Sequence, residues 1–462
     1  MKYLFLACSL LLAGFTTVLG AGSSWRQADR IVKSIRLTSI PNHEVSITDF
    51  GAVRDDANRP VHEAINAAVR SCHEKGGGRV IVPAGVFYTG PIRLLSNVEL
   101  HLKEGAELRF STNYNLYYPG VKTRWEGMDA INATPLIYAA DAENIAITGK
   151  GIIDGQASNE KWWYMKGRKD YGWRKGLISQ EEGGRDRLLQ HVREQTPIDQ
   201  RRMTLEDGLR PQLINFMNCE RILLEGVTLL RSPFWVIHPV FCKDLIVRGV
   251  HINSDGPNSD GCDPESCENV LIENCFFNTG DDCIAIKSGR NEDGRGTRPS
   301  RNIVVRNCKM ENGHGGVVIG SEISGGCNNV YVENCEMDSP QLDRVIRIKT
   351  SMCRGGVIED IFARNIKVGE CREAVLRINL NYENNENCVR DFPPVVRNVY
   401  LENIVCNKSR HGIYMDGLSG QRNIYGIEVK NCRFDNVAKE NVRKGESQVT
   451  FRNTKINGKN AD

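Results

Sequence analysis

The sequence predicts an all-β chain wound as a right-handed parallel β-helix, a solenoid with an N-terminal capping helix and long loop insertions. A short motif recurs along it: a polar start, three mostly apolar residues, a charged or polar residue, then Gly or Asn. Asn144-Ile-Ala-Ile-Thr-Gly, Asp244-Leu-Ile-Val-Arg-Gly, Asn302-Ile-Val-Val-Arg-Asn and Asn398-Val-Tyr-Leu-Glu-Asn are copies. A second short apolar stretch follows each copy, as in Val227-Thr-Leu-Leu. No apolar helical period lies between copies, which argues against the crossover helices of a βαβ sheet. Antiparallel sandwiches also use short strands but do not repeat a register this well. Stacked coils do, with matching positions about 4.8 Å apart.

The chain opens like an export signal. Lys2 is followed by an apolar run from Tyr3 to Phe15 and by small residues at Gly20 and Ala21. Residues 1–20 are therefore expected to be a signal peptide, placing the protein in the periplasm or outside the cell. The run is short for a membrane span, and too few residues precede Cys8 for a lipoprotein anchor. No stable membrane association is expected. The rest, 21–462, reads as a single β-helix catalytic domain, a size that a solenoid reaches because each coil contacts only its neighbours. The formal net charge of +3 does not suit a nucleic-acid binder.

Two regions break the repeat. Val61 to Arg70 reads as an amphipathic helix capping the open end of the solenoid. Gln156 to Pro211, rich in charge and carrying Trp162, Trp163, Tyr164, Tyr171 and Trp173, reads as a long insertion on the binding face, expected with the charged loop Ser288 to Pro299 to wall off one end of the groove. Five of the sixteen cysteines fall in one repeated Asn-Cys context, Asn218-Cys219, Asn274-Cys275, Asn307-Cys308, Asn334-Cys335 and Asn431-Cys432. That recurrence favours small buried side chains stacked on their copies over scattered disulfides.

Four stretches in successive coils carry the chemistry: Asn258-Ser259-Asp260-Gly261, Gly280-Asp281-Asp282-Cys283, Gly313-His314-Gly315 and Arg347-Ile348-Lys349. Asp260 and Asp281 are 21 residues apart, close to one coil, so stacking sets them side by side. Three clustered carboxylates repel, so at least one is expected to hold a proton near neutrality and serve as general acid beside an ionised base. A solvated Asp-rich turn or a calcium site is the plainer alternative. His314, between glycines, can lean onto an aspartate and help set its protonation. No second histidine stands at ligand spacing, so zinc fits poorly, and no cofactor is expected. Arg347 and Lys349 alternate with Ile346 and Ile348 and point outward together. They read as a clamp for a sugar carboxylate, or as charge balance on a surface strand.

At these residues the chain resembles glycoside hydrolase family 28, the polygalacturonases, whose Asn-Thr-Asp, Gly-Asp-Asp, Gly-His-Gly and Arg-Ile-Lys motifs appear in that order. Ser259 stands where Thr is usual. The resemblance implies Asp281 as general acid, Asp260 and Asp282 as bases activating water with inversion, and His314 supporting the acid. It implies Asn258, Arg347, Lys349 and Tyr382 as substrate contacts. The implied partner is pectin-derived oligo- or polygalacturonate, attacked from non-reducing ends as in the exo-acting branch. Rhamnogalacturonan hydrolysis, a pectate lyase and a pectin-binding module without activity remain as alternatives. Stacked coils favour the short carboxylate spacing of retaining enzymes, so inversion follows from the resemblance alone.

Overall fold

The computed structural model describes residues 21–382 and 386–461; the expected signal peptide lies outside the described residues. From Glu44 onward the chain winds as a right-handed parallel β-helix. Successive coils lay down strands on three faces. The first runs through thirteen strands from Glu44–Ser46 to Val449–Arg452, and the second through thirteen from Gly85–Thr89 to Lys459–Asn460. The third face comes in two runs. Four strands end at Ile237–Val240, and six begin at Ile284–Ile286. The coil between them carries residues 260–265 and is tied to its neighbours by single bridges, Cys262 to Ile237 and Ile284, and Glu265 to Val240 and Lys287.

The polar start of each repeat has a backbone reason. Asn144, Arg221, Asp244, Asn269, Asn302, Asn329 and Asn398 all adopt left-handed φ between 54° and 58°, a region that Asn and Asp tolerate best among residues with a Cβ. Their side chains form a ladder, Asn269 donating to Asp244 at 3.1 Å, Asn302 to Asn269 at 3.1 Å and Asn329 to Asn302 at 3.2 Å. The Asn of each of the five recurring Asn-Cys pairs, at 218, 274, 307, 334 and 431, is also left-handed. The five following cysteines are buried and free, as the repeat implied. Among the described residues, thirteen cysteines are free and buried, and Cys353–Cys388 forms a disulfide.

The capping helix is present as α2 (His62–Glu74), which turns Ile65, Ala68, Val69 and Cys72 into the core. A further helix, α1 (Ala21–Ser34), was not anticipated. Its Trp25, Ala28 and Ile31, with Ile35, cover Ile246, Leu271, Val304 and Tyr331 on the outside of the first face. These are the middle residues of four successive repeats. Their side chains point away from the interior, where polar residues are the rule. An apolar residue there in consecutive copies was the legible sign of a covering element. Trp25 meets the Tyr331 ring edge-on at 5.6 Å between centroids and takes the Arg364 guanidinium at 3.9 Å. Trp25→Ala is expected to cost about 3 kcal/mol and to release α1. Hydrogen exchange over 21–35 would rise well above that of the neighbouring strands; unchanged protection would refute the anchoring role.

Candidate active site

Four consecutive coils deliver the residues singled out in the sequence to one cleft. Asp260 lies in the coil that interrupts the third face. Asp281 and Asp282 enter the strand Ile284–Ile286, His314 precedes Val317–Ile319, and Arg347 and Lys349 lie on Arg344–Lys349. Register fixes the directions: Ile286, Ile319 and Ile348 stack inward, leaving Arg347 and Lys349 outward. Oxygens of Asp260, Asp281 and Asp282 all lie within 4.8 Å of one another.

Each acid has its own partners. His314 Nδ1 sits 2.9 Å from Asp281 Oδ1. The amide of His314 also donates to the Asp281 carbonyl at 3.0 Å, so backbone and ring fix the pair together. Gly313, at φ 149°, permits the approach: a Cβ there would lie 2.6 Å from that same carbonyl. Lys349 Nζ donates to Asp282 Oδ2 at 2.7 Å and Arg347 Nη1 to Oδ1 at 3.3 Å. Both cations approach the Tyr382 ring, at 5.6 and 5.3 Å from its centroid. Asn258 is held in a left-handed turn, its Oδ1 accepting from Arg210 Nη2 at 2.8 Å. Its amide N–H groups are left to donate to a ligand.

The cleft encloses about 450 Å³. The insertion walls it with Lys166, Arg168, Tyr171 and Arg185, the last from α3 (Gly184–Arg193). A hairpin of strands Val121–Trp125 and Met128–Asn132 brings Glu126 to the same wall at its tip. Glu126 accepts from Arg185 at 3.1 Å and from Arg290 at 2.6 Å. The loop 288–299 thus braces the wall from behind, with Arg290 N bonded to Gly127 O at 2.9 Å.

The family model described as "Glycosyl hydrolases family 28" matches residues 201–454. The chain belongs to glycosyl hydrolase family 28. This family 28 chain is a glycoside hydrolase. It is 29% identical over 90% of its length to a probable polygalacturonase of Vitis vinifera, 81% of which is covered. It is 25% identical over 91% of its length to an exo-poly-alpha-D-galacturonosidase of Dickeya chrysanthemi, with 75% covered. A solved structure of a hyperthermoactive exopolygalacturonase from Thermotoga maritima superposes with TM-score 0.90 and 40% identity, over 95% of this chain and 97% of that one. The family match spans the coils bearing the acids. Glu126 and the insertion up to residue 200, which build the wall, lie before it.

The electrostatics of this family 28 hydrolase divide the acids unevenly. Burial pushes the Asp260 carboxyl well above the usual range, and the Asp281 and Asp282 charges add to the effect. Burial also raises Asp281, but the His314 cation, then Lys349 and Arg347, outweigh it and hold the carboxylate below its ordinary value. His314 is pushed up to about 9, chiefly by the Asp281 charge and the hydrogen bond to it. Of the three acids, Asp260 is thus the one whose surroundings favour the protonated form. A ring titration by NMR is expected to show His314 protonated at neutral pH, with its midpoint falling back toward 6.5 in Asp281→Asn. Since the folded value is the higher one, the stability this pair contributes is full below 6.5 and is lost as pH rises through about 9. A midpoint at 6.5 in the parent protein would break the assignment.

Lys287, Glu322 and Arg210 were missed. Lys287 and Glu322 line the cleft; Arg210 stands behind Asn258, bonded also to Gln180 Oε1 at 3.1 Å. Lys287, in Cys283-Ile-Ala-Ile-Lys287, follows the same outward alternation that exposed Arg347 and Lys349, and that alternation was the available signal.

Proposed function

We propose that this enzyme hydrolyses α-1,4-linked galacturonate in polygalacturonate, releasing galacturonic acid from non-reducing ends with inversion. The carrying observation is that the insertion and the Glu126 hairpin wall the same cleft that Asp260 and Asp281 line, which we read as closing it on one side. A closed cleft admits a chain end and not the middle of a polymer. The Thermotoga maritima exopolygalacturonase and the Dickeya chrysanthemi exo-poly-alpha-D-galacturonosidase support the same reading. Arg347 and Lys349 supply cations at the acids, and Arg347 uses one N–H of its five on Asp282, keeping donors for a sugar carboxylate. Export, expected from residues 1–20, suits a polymeric substrate outside the cell. Among the described residues no helix is long and apolar enough to cross a membrane.

In this mechanism Asp281 protonates the glycosidic oxygen while Asp260 and Asp282 take the proton of the attacking water. The proton that Asp281 delivers rests on His314 in the free enzyme. A bound sugar strips water from the His314–Asp281 contact, which disfavours the separated charges and drives the proton from Nδ1 to the carboxylate. Tyr382 and Asn258 contact the sugar beside the clamp. A second reading follows from the raised Asp260: it is itself the donor, and Asp281 remains ionised.

The deciding experiment is product analysis on polygalacturonate. Monomer from the first minutes is expected; a ladder of oligomers would sink the exo reading, and ultraviolet-absorbing unsaturated ends would replace hydrolysis with elimination. NMR of the first-formed anomer tests inversion, which the spacing of the acids does not by itself favour.

A further inference from the structure

Each of the three acids in the cleft faces a cation, and the cation of Asp260 has no role in the chemistry above. Lys287 Nζ lies 3.5 Å from Asp260 Oδ2. The lysine is 2% exposed. Its ammonium is also 3.0 Å from Glu322 Oε2, donates to the Gly320 carbonyl at 3.1 Å, and sits 4.6 Å from the Trp235 ring centroid. Glu322 is in turn within the fields of Arg290 and Arg354. Asp260 feels Asp281 and Asp282 as like charges and Lys287 and Lys349 as opposite ones. Asp263, fully buried, has no hydrogen-bond partner on either oxygen among the described residues. It lies within the fields of Asp260, Lys287, Asp282 and Asp281.

A buried carboxyl that changes protonation during a reaction needs surroundings that tolerate both states, because an unpaired buried charge is costly in either direction. Lys287 between Asp260 and Glu322 meets that need. With Asp260 ionised, the ammonium faces both carboxylates. With Asp260 protonated, Glu322 still neutralises the ammonium. The Trp235 face and the Gly320 carbonyl hold Nζ in place through both states, so no side chain has to move.

We propose that Lys287 is the positioning residue of Asp260, and that Glu322, by sharing the ammonium, sets how strongly Lys287 favours the ionised Asp260 carboxyl. This rests on Asp260 being one of the catalytic acids, as read above. Lys287 touches Asp260 and not the reacting atoms, so its effect is on proton affinity rather than on substrate capture.

The test is a carbon-13 NMR titration of full-length protein labelled at aspartate carboxyls, with the Asp260 resonance assigned by its loss in Asp260→Asn. In Lys287→Met the Asp260 midpoint is expected to rise by about one pH unit or more, a tenfold gain in proton affinity. In Glu322→Gln it is expected to fall, because Asp260 then has the ammonium to itself. Lys287→Arg, which keeps the charge, is expected to restore most of the parent midpoint. The pH limb of kcat/KM that belongs to Asp260 should move in the same directions, with KM changing less than kcat. An unmoved midpoint in Lys287→Met overturns the proposal, as does a rise in Glu322→Gln. Should Lys287→Met not fold, the opposed expectations for Glu322→Gln and Lys287→Arg still decide it. Full turnover in Asp260→Asn would instead overturn the catalytic reading of Asp260 and leave the titration result standing.

Discussion

Asp281→Asn is expected to lower turnover of polygalacturonate by about 10²–10⁴-fold, with oligogalacturonate binding and far-ultraviolet dichroism unchanged. The amide keeps the shape of the carboxylate but cannot deliver a proton. The informative comparison uses an aryl galacturonide whose phenolate departs without assistance. If Asp281 is the donor, Asp281→Asn should lose little on that substrate, whereas Asp260→Asn should lose heavily on both, since activation of water is still required. The reverse pattern would transfer the donor role to Asp260, where burial already favours the protonated form. Equal losses of both variants on both substrates would refute each assignment.

Asp282→Ala is expected to give the largest loss of stability among site variants. Asp282 is fully buried, and both its oxygens meet cations that are themselves about nine-tenths buried, Arg347 and Lys349. Removing one member of such a group leaves like charges unpaired in low dielectric, at a cost of about 3–5 kcal/mol. Arg347 and Lys349 would then repel each other across the Tyr382 ring. Adding Lys349→Met to Asp282→Ala should recover part of the loss, although catalysis stays absent. Urea unfolding of the single and double variants measures this; equal stability of Asp282→Ala and the parent would mean that the cations find water or another partner.

The winding and the four motifs were readable because a solenoid converts order in sequence into order in space. Asp260, Asp281, His314 and Arg347 fall in successive coils, so their proximity follows from counting. The proton distribution was not readable. Counting says that three carboxylates crowd together, but how proton affinity is divided among them depends on where His314 puts its ring, 2.9 Å from Asp281. The wall was legible in its segments, the insertion and the charged loop 288–299, but not in the contacts that join them. Glu126, Arg185 and Arg290 meet from a hairpin, a helix inside the insertion and a distant loop, and no repeat relates those segments. The insertion was visible as charge and aromatic density, yet not α3 or the hairpin opposite. Helix α1 escaped because its evidence lay elsewhere, in the outward apolar residues of the strands it covers.

The coil that interrupts the third face has a consequence for how this molecule tolerates change in length. Residues 260–265 are tied to the coils on either side by single bridges rather than by a continuous ladder, so the catalytic floor takes its alignment from its flanks. Deleting one residue between Asp260 and Glu265 would swing the Asp260 carboxylate out of the trio, and no continuous ladder on that face would pull it back. Whole turns appended beyond Val442–Lys444, the last strand of that face, would lengthen the rod and leave the reaction centre untouched. Evolution and engineering alike are thus free to extend this scaffold at its far end, while the short coil from Asp260 to Glu265 must keep its length.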